Sequence, residues 1–384
     1  MEYWTLALIP DTHYSHGSDA ETERLMAEWV ADNIVAENIQ LVVHVGDVSN
    51  AQYNSPASFH RIVNAAAKNI LLPIEEAEVP FLIATGNHDM VGGEAELPNS
   101  RVTYLHEEFP SSRYENKSYF AGAYKEGDIN NVAYKLAVQG RDYLFICVEM
   151  NPRTEVETWA NTLLTANPNA VGIIVTHSYF LVDGQTVDAD MEGFRSRVIA
   201  KHPNIKMTVM GHNHSHYNRV SAHYESIVHM VKPNIPLWGT TAEDGMSICL
   251  LKIYENGKVE ARDYIPRFDT WVNDTDTFYL DFDNAAHIRP TKNSGGVAIL
   301  CPVGLVNETN RLFGNNPYQI PGQGETVYKS CWSKWILPDS TTHKNLTVSP
   351  TLMADILESM TEGKSVGISG ITDFAAFKTQ LTGE

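Results

Sequence analysis

Five times along this chain an apolar run ends in a short block of side chains able to bind metal. The blocks are Asp11-Thr12-His13, Gly46-Asp47, Gly86-Asn87-His88-Asp89, a lone His177, and Gly211-His212-Asn213-His214. The runs before them, residues 3–9, 40–45, 79–85, 171–176 and 205–210, are rich in Val, Ile and Leu and have the length of buried strands. A chain written this way is restricted to folds that bring the carboxyl ends of several strands to one edge. Open α/β sheets place their ligand sites there.

Between the first three runs the periodicity becomes helical. Ser18 and Glu21 form a capping-box pattern ahead of Leu25, Met26, Trp29, Val30 and Ile34. Ser55 and Pro56 read as N-cap and first helical position before Phe59, Ile62, Val63 and Ala66. Strands are expected over 132–138 and 143–148, then a helix capped by Thr154 and Glu157, and a further helix near 188–201. Short strands around 217–231, 246–254 and 258–265 follow. Two sheets facing each other with helices outside fit this order.

At Ile265-Pro266-Arg267 the composition shifts. Beyond about residue 270 the strands are short and bounded by Asn, Gly and Pro. Aromatic content gathers in Tyr318, Tyr328, Trp332 and Trp335, and helices are expected near 350–361 and 371–381. The chain therefore divides into a domain over 1–268, expected to fold alone, and a small C-terminal α+β domain over 269–384. The second domain is open to three readings: an ordinary core, a lid over the site, or an oligomerisation surface.

Of the 384 residues, 43% are hydrophobic and 20% charged, the balance of an ordinary globular chain. No apolar run approaches the roughly 20 residues that span a bilayer, so no membrane partner is expected. Glu2 stands where an export signal carries basic residues, and the first apolar run continues directly into Asp11. Cys147, Cys249, Cys301 and Cys331 are widely spaced and read as reduced thiols. A cytoplasmic location is the expectation from both. The formal net charge of -19 repels nucleic acid and anionic surfaces. It would also repel a phosphate substrate, so the site must carry its own positive charge, which divalent cations supply.

Two adjacent cations need a shared ligand, and a carboxylate with two oxygens bridges more readily than an imidazole. Asp47 is the candidate. Asp11 with His13, and His212 with His214, stand at i and i+2 and can point to the same side of a strand end. Gly46, Gly86 and Gly211 each precede a ligand, where a residue without Cβ lets the backbone turn sharply.

In order and pairing the five blocks resemble the calcineurin-like metallophosphoesterase superfamily, and within it the phosphodiesterase branch that ends in Gly-His-x-His. The resemblance spans about residues 4–265 and implies an α/β sandwich of two sheets. It further implies that Asp11, His13, Asp47 and His214 hold one divalent ion and that Asp47, Asn87, His177 and His212 hold the other. A hydroxide bridging ions about 3.5–4 Å apart would attack a small phosphate ester. His88 would stabilise or protonate the leaving oxygen, with Asp89 fixing its tautomer and orientation. Mixed nitrogen and oxygen ligands suit Mn, Fe, Zn or Co better than Mg.

Departures from the superfamily's other branches narrow the activity. Gly46-Asp47 continues into Val48-Ser49-Asn50-Ala51 rather than an Asp-Arg-Gly, which disfavours protein phosphatase activity. Tyr53 is not at the offset of the tyrosine ligand in purple acid phosphatases. A phosphodiesterase is the leading expectation; a phosphomonoesterase or nucleotide pyrophosphohydrolase with the same metals is the alternative, and a metal-free scaffold a distant third. Between Met90 and Val132, Arg101, Arg113, Tyr114 and Tyr119 are candidates for a selectivity loop or for a plain connection. His44 reads as packed or hydrogen-bonded. Tyr14, His16, Asn213 and His216 flank the blocks and read as substrate contacts or exposed residues.

Overall fold

A computed structural model describes residues 2–14, 20–50, 56–90, 101–179, 187–212, 219–223, 228–232, 246–271, 278–282, 286–290, 297–300, 335–338 and 343–346. Its first half alternates β1 (Tyr3–Ile9), α1 (Ala20–Asn33), β2 (Ile39–His44), α2 (Pro56–Ala66), α3 (Leu72–Glu76) and β3 (Phe81–Ile83). After α4 (Leu105–Glu108) come β4 (Phe120–Ala123), β5 (Val132–Val138), β6 (Arg141–Cys147), α5 (Thr154–Ala166), β7 (Val171–Val175), α6 (Glu192–Arg197) and β8 (Ile205–Val209). The strands β9 (Arg219–His223), β10 (Val228–Lys232), β11 (Ile248–Tyr254) and β12 (Lys258–Ile265) follow.

Two mixed sheets face each other with helices outside, as expected. One runs β12-β11-β1-β2-β3 to its edge at β3, with β1, β2 and β3 parallel. The other runs β4-β5-β6-β7-β8-β10-β9, with β6, β7 and β8 parallel. The pleat of β6 shows how one strand serves two layers. Tyr143, Phe145 and Cys147 enter the core between the sheets, while Leu144, Ile146 and Val148 enter a second core under α5 and α6. Trp4 of β1 meets the ring of Tyr143 at 4.9 Å and that of Phe145 at 6.5 Å, which fixes the sheets face to face.

The first sheet continues past residue 268. Thr270–Trp271 pairs with β12, and Phe278–Asp281, Ala286–Pro290 and Val297–Leu300 extend the same ladder outward. Phe282 is buried in the core between the sheets. The separate pair Trp335–Pro338 and His343–Leu346 is antiparallel. The helices expected near 350–361 and 371–381 lie outside the described residues, as do Ser18 and Ser55.

Two helices differ from expectation. Thr154 is the first helical residue of α5, its N-cap is Arg153, and no side chain caps it. Glu157 instead accepts hydrogen bonds from Arg197 Nε and Nη2, at 2.6 and 2.7 Å, tying α5 to α6. The segment 188–201 is broken into two 3-10 turns flanking the short α6, because the Asp188 side chain accepts from Asp190 N and starts a tight turn. Among the described residues no helix is long and apolar enough to cross a membrane.

Candidate metal centre

The carboxyl ends of β1, β2 and β3 from one sheet and of β7 and β8 from the other converge on a single edge. Three hydrogen bonds between distant segments hold them there. Nδ1 of His177 donates to the Val45 carbonyl at 2.9 Å, His212 N donates to Asp11 Oδ2 at 2.8 Å, and His88 N donates to Asp47 Oδ1 at 2.8 Å. His212 Nδ1 and Asn87 Oδ1 are 3.0 Å apart. The structure thus brings together Asp11, His13, Asp47, Asn87, His88, His177 and His212. His214 lies outside the described residues, as do His16, Asn213 and His216.

Asp47 sits at the centre. Its Oδ2 is 3.1 Å from His177 Nε2 and 3.7 Å from His13 Nε2. Two groups of potential ligand atoms, each within 4.8 Å of one another, have Asp47 in common: His13, Asp47 and His88, and Asp47, His177 and His212. The Val45 carbonyl fixes a proton on His177 Nδ1, so in the neutral ring a lone pair occupies Nε2. That nitrogen is fully buried, makes no hydrogen bond, and faces a carboxylate oxygen. Lone pair against anion is repulsive unless a cation lies between them. The donor set therefore fits divalent ions on either side of Asp47.

The glycines support this arrangement, though in a different way from the expected sharp turns. Of Gly46, Gly86 and Gly211, only Gly46 has positive φ, at +106°. A Cβ on Gly86 would lie 2.0 Å from Asp47 Oδ1, and one on Gly211 would lie 2.1 Å from Asp11 Oδ1. These two glycines make room for carboxylates. The turns fall on the candidate ligands: His13, Asp47 and His212 adopt φ of 47°, 48° and 66°. Left-handed backbone is uncommon outside glycine and clusters at functional sites.

His88 lies with its ring 4.6 Å from that of His13. The side chain found against the His88 ring nitrogen is not that of Asp89 but that of Asn50. Asn50 Oδ1 is 2.8 Å from His88 Nδ1 and can accept a hydrogen bond from it. The buried Asp89 carboxylate accepts instead from Val48 N, Ser49 N, Ser49 Oγ and Gly86 N, joining the second block to the third. Burial and the nearby Asp47 charge push Asp89 up to about 7, against those backbone donors. Asn50 escapes a reading of the sequence because its amide follows Asp47 by three positions with no flanking pattern of its own.

The candidates between Met90 and Val132 are engaged in packing. Arg101 donates to the carbonyls of Met150 and Asn151. Arg113 pairs with Glu75, Tyr114 donates to Glu75 Oε1, and Tyr119 packs 4.8 Å from the Tyr134 ring. Tyr14 is buried, with its hydroxyl accepting from Asn69. A groove of about 980 Å³ lined by Ile39, Pro80, Phe120, Lys135 and Val138 lies at the amino ends of β2 and β3, opposite the cluster.

An α/β sandwich that gathers a shared carboxylate and histidines at its strand ends is the framework of a metal-dependent phosphoesterase. The sequence model of the calcineurin-like phosphoesterase family matches residues 5–216, more than half the chain, and the chain belongs to that family. A 215-residue stretch is 27% identical to the uncharacterized protein YvnB of Bacillus subtilis (strain 168), covering 56% of this chain and 16% of that protein. The chain thus matches only a small part of that relative's length. Among solved structures, a dimetal phosphatase from Danio rerio is similar at 12% identity and a TM-score of 0.47, over 68% of this chain and 96% of that one. A purple acid phosphatase from yellow lupin seeds is similar at 12% identity and a TM-score of 0.47, over 73% of this chain and 54% of that one.

Proposed function

We propose that the chain is a dinuclear metal-dependent phosphodiesterase acting on small phosphate diesters. The observation that carries the reading is the approach of the one oxygen Asp47 Oδ2 to both His177 Nε2, at 3.1 Å, and His13 Nε2, at 3.7 Å. Asp11, His13, Asp47 and His214 would hold one ion, and Asp47, Asn87, His177 and His212 the other. When bound, such a pair supplies Lewis acidity toward the phosphoryl oxygens and a water acidic enough to attack phosphorus near neutral pH. Asn50 holds the Nδ1 side of His88, leaving Nε2 to deliver a proton to the departing oxygen when the ring is charged.

Charge balance favours a diester over a monoester. A monoester dianion gains from an extra cation in the pocket. The arginines described between residues 101 and 131 are bound to backbone carbonyls or to Glu75. A singly charged diester is also less repelled by a chain of net charge -19. Polyanionic nucleic acid is disfavoured on the same ground.

The test is hydrolysis of bis-p-nitrophenyl phosphate against p-nitrophenyl phosphate by metal-stripped protein with Mn, Zn or Fe restored. Metal-dependent preference for the diester is expected. Preference for the monoester would move the assignment to a phosphomonoesterase or a nucleotide pyrophosphohydrolase.

A further inference from the structure

The β1–β2 ladder does not stop at the strand ends, but it has a gap. It closes at Val45 N to the Ile9 carbonyl, 3.0 Å, and resumes at His13 N to the Asp47 carbonyl, 2.8 Å. It continues through Tyr14 N to the Val48 carbonyl and Asn50 N to the Tyr14 carbonyl. Gly46, Asp47 and His13, at the margins of the gap, all have positive φ. Pro10 offers no N–H there.

The buried imidazole of His44 fills that gap. Gly46 N donates to His44 Nδ1 at 3.2 Å, so Nδ1 carries no proton. Nε2 then bears the hydrogen and donates to Thr12 Oγ1 at 3.1 Å, and Thr12 Oγ1 donates to the Val48 carbonyl at 2.8 Å. Each donor in this chain has one acceptor, which fixes the tautomer. Burial, with the neighbouring His177 second, lowers His44 to about 3, in keeping with a neutral ring.

We propose that His44 is a positioning residue whose neutral ring substitutes for the missing ladder bonds and clamps the Asp11-Thr12-His13 and Gly46-Asp47 blocks, presenting Asp47 between its two histidines. In its effect on metal this inference rests on the functional reading above; the clamp itself does not.

Three variants separate the clamp from simple core filling. His44→Phe keeps an aromatic ring and removes both hydrogen bonds. His44→Asn places an amide oxygen where Nδ1 takes the Gly46 proton, and His44→Gln places an amide nitrogen where Nε2 reaches Thr12. Amide exchange at Gly46 is read in metal-free protein; Mn affinity, and kcat and KM on bis-p-nitrophenyl phosphate at saturating Mn, are read after loading. His44→Phe is expected to speed Gly46 exchange about tenfold or more and to weaken Mn binding roughly 10–100-fold. Its kcat should fall with KM unchanged. His44→Asn should restore slow exchange and most of the affinity, and His44→Gln should not. Wild-type exchange and affinity in His44→Phe would overturn the proposal. Should that variant not fold, an Asn variant no better than Gln would do the same. A wild-type protein that binds none of Mn, Zn or Fe would defeat the functional reading and the metal effect with it, while Gly46 exchange still decides the clamp.

Discussion

His177 Nε2 stands 3.1 Å from Asp47 Oδ2 while its Nδ1 is held by the Val45 carbonyl at 2.9 Å. A neutral ring cannot turn its one proton toward the carboxylate without giving up that bond. Asp47 also carries left-handed backbone, with φ of 48°, a conformation Asn tolerates well. Asp47→Ala is expected to lose both metals and hydrolysis. Asp47→Asn should also lose metal, yet be more stable than wild type in chelator by about 1 kcal/mol, because a buried charge beside Asp89 is removed. Elemental analysis and urea unfolding in EDTA check the pair; two metals per chain in either variant would contradict the bridging role.

Gly86→Ala would place a methyl group 2.0 Å from Asp47 Oδ1, whereas Gly140→Ala, at φ +75°, meets nothing within 4 Å. The first is expected to empty the metal site. The second should cost about 1 kcal/mol through backbone strain alone and leave metal stoichiometry at the wild-type value. Equal metal occupancy in both variants would show that close approach at Gly86 does not matter to the site.

Because His88 is partnered by Asn50 and not by Asp89, removing either member of the first pair should affect proton delivery. His88→Ala and Asn50→Leu are expected to keep both metals and to lower kcat, by ~10²–10⁴-fold for His88→Ala. The loss should shrink for leaving groups of low pKa. A loss independent of the leaving group would argue against proton donation.

His44 gives a pH signature. Its folded value of about 3 lies below the ~6.5 of an unfolded histidine. Between those values the unfolded chain binds a proton that the folded protein does not, so acid favours unfolding. Stability from this source is complete above about pH 6.5 and falls by up to ~1.4 kcal/mol per unit as pH drops toward 3. In chelator, the stability of wild type minus that of His44→Phe should therefore decline from about pH 7 to about pH 4. A flat difference would mean that His44 is not held neutral.

Ending the chain after residue 268 would leave β12 without its Phe278–Asp281 partner and remove Phe282 from the core. An uncovered, partly apolar edge is prone to association. A fragment over 1–300 is expected to be more soluble and to unfold more cooperatively than one over 1–268. The opposite order would place the limit of the folding unit at the composition shift.

Much of this architecture is legible in the sequence because its cues are local. The run over 3–9 matches Tyr3–Ile9 residue for residue, since a central strand buried on both faces is written as continuous apolar sequence. Motif blocks at strand ends likewise follow from adjacency in the chain. Thr154 fared worse as a cap, because a Thr-x-x-Glu pattern does not reveal that Arg197 draws Glu157 away.

The sequence by itself determined which side chains can hold metal and that strand ends carry them, through residue type and periodicity. Tertiary structure decided their partners. His88 finds Asn50 across 38 positions, His177 finds Val45 across 132, and His212 finds Asp11 across 201. Tautomers, close glycine contacts and left-handed candidate ligands all follow from those distant pairings. No local propensity encodes them, because their energy exists only once two sheets have met.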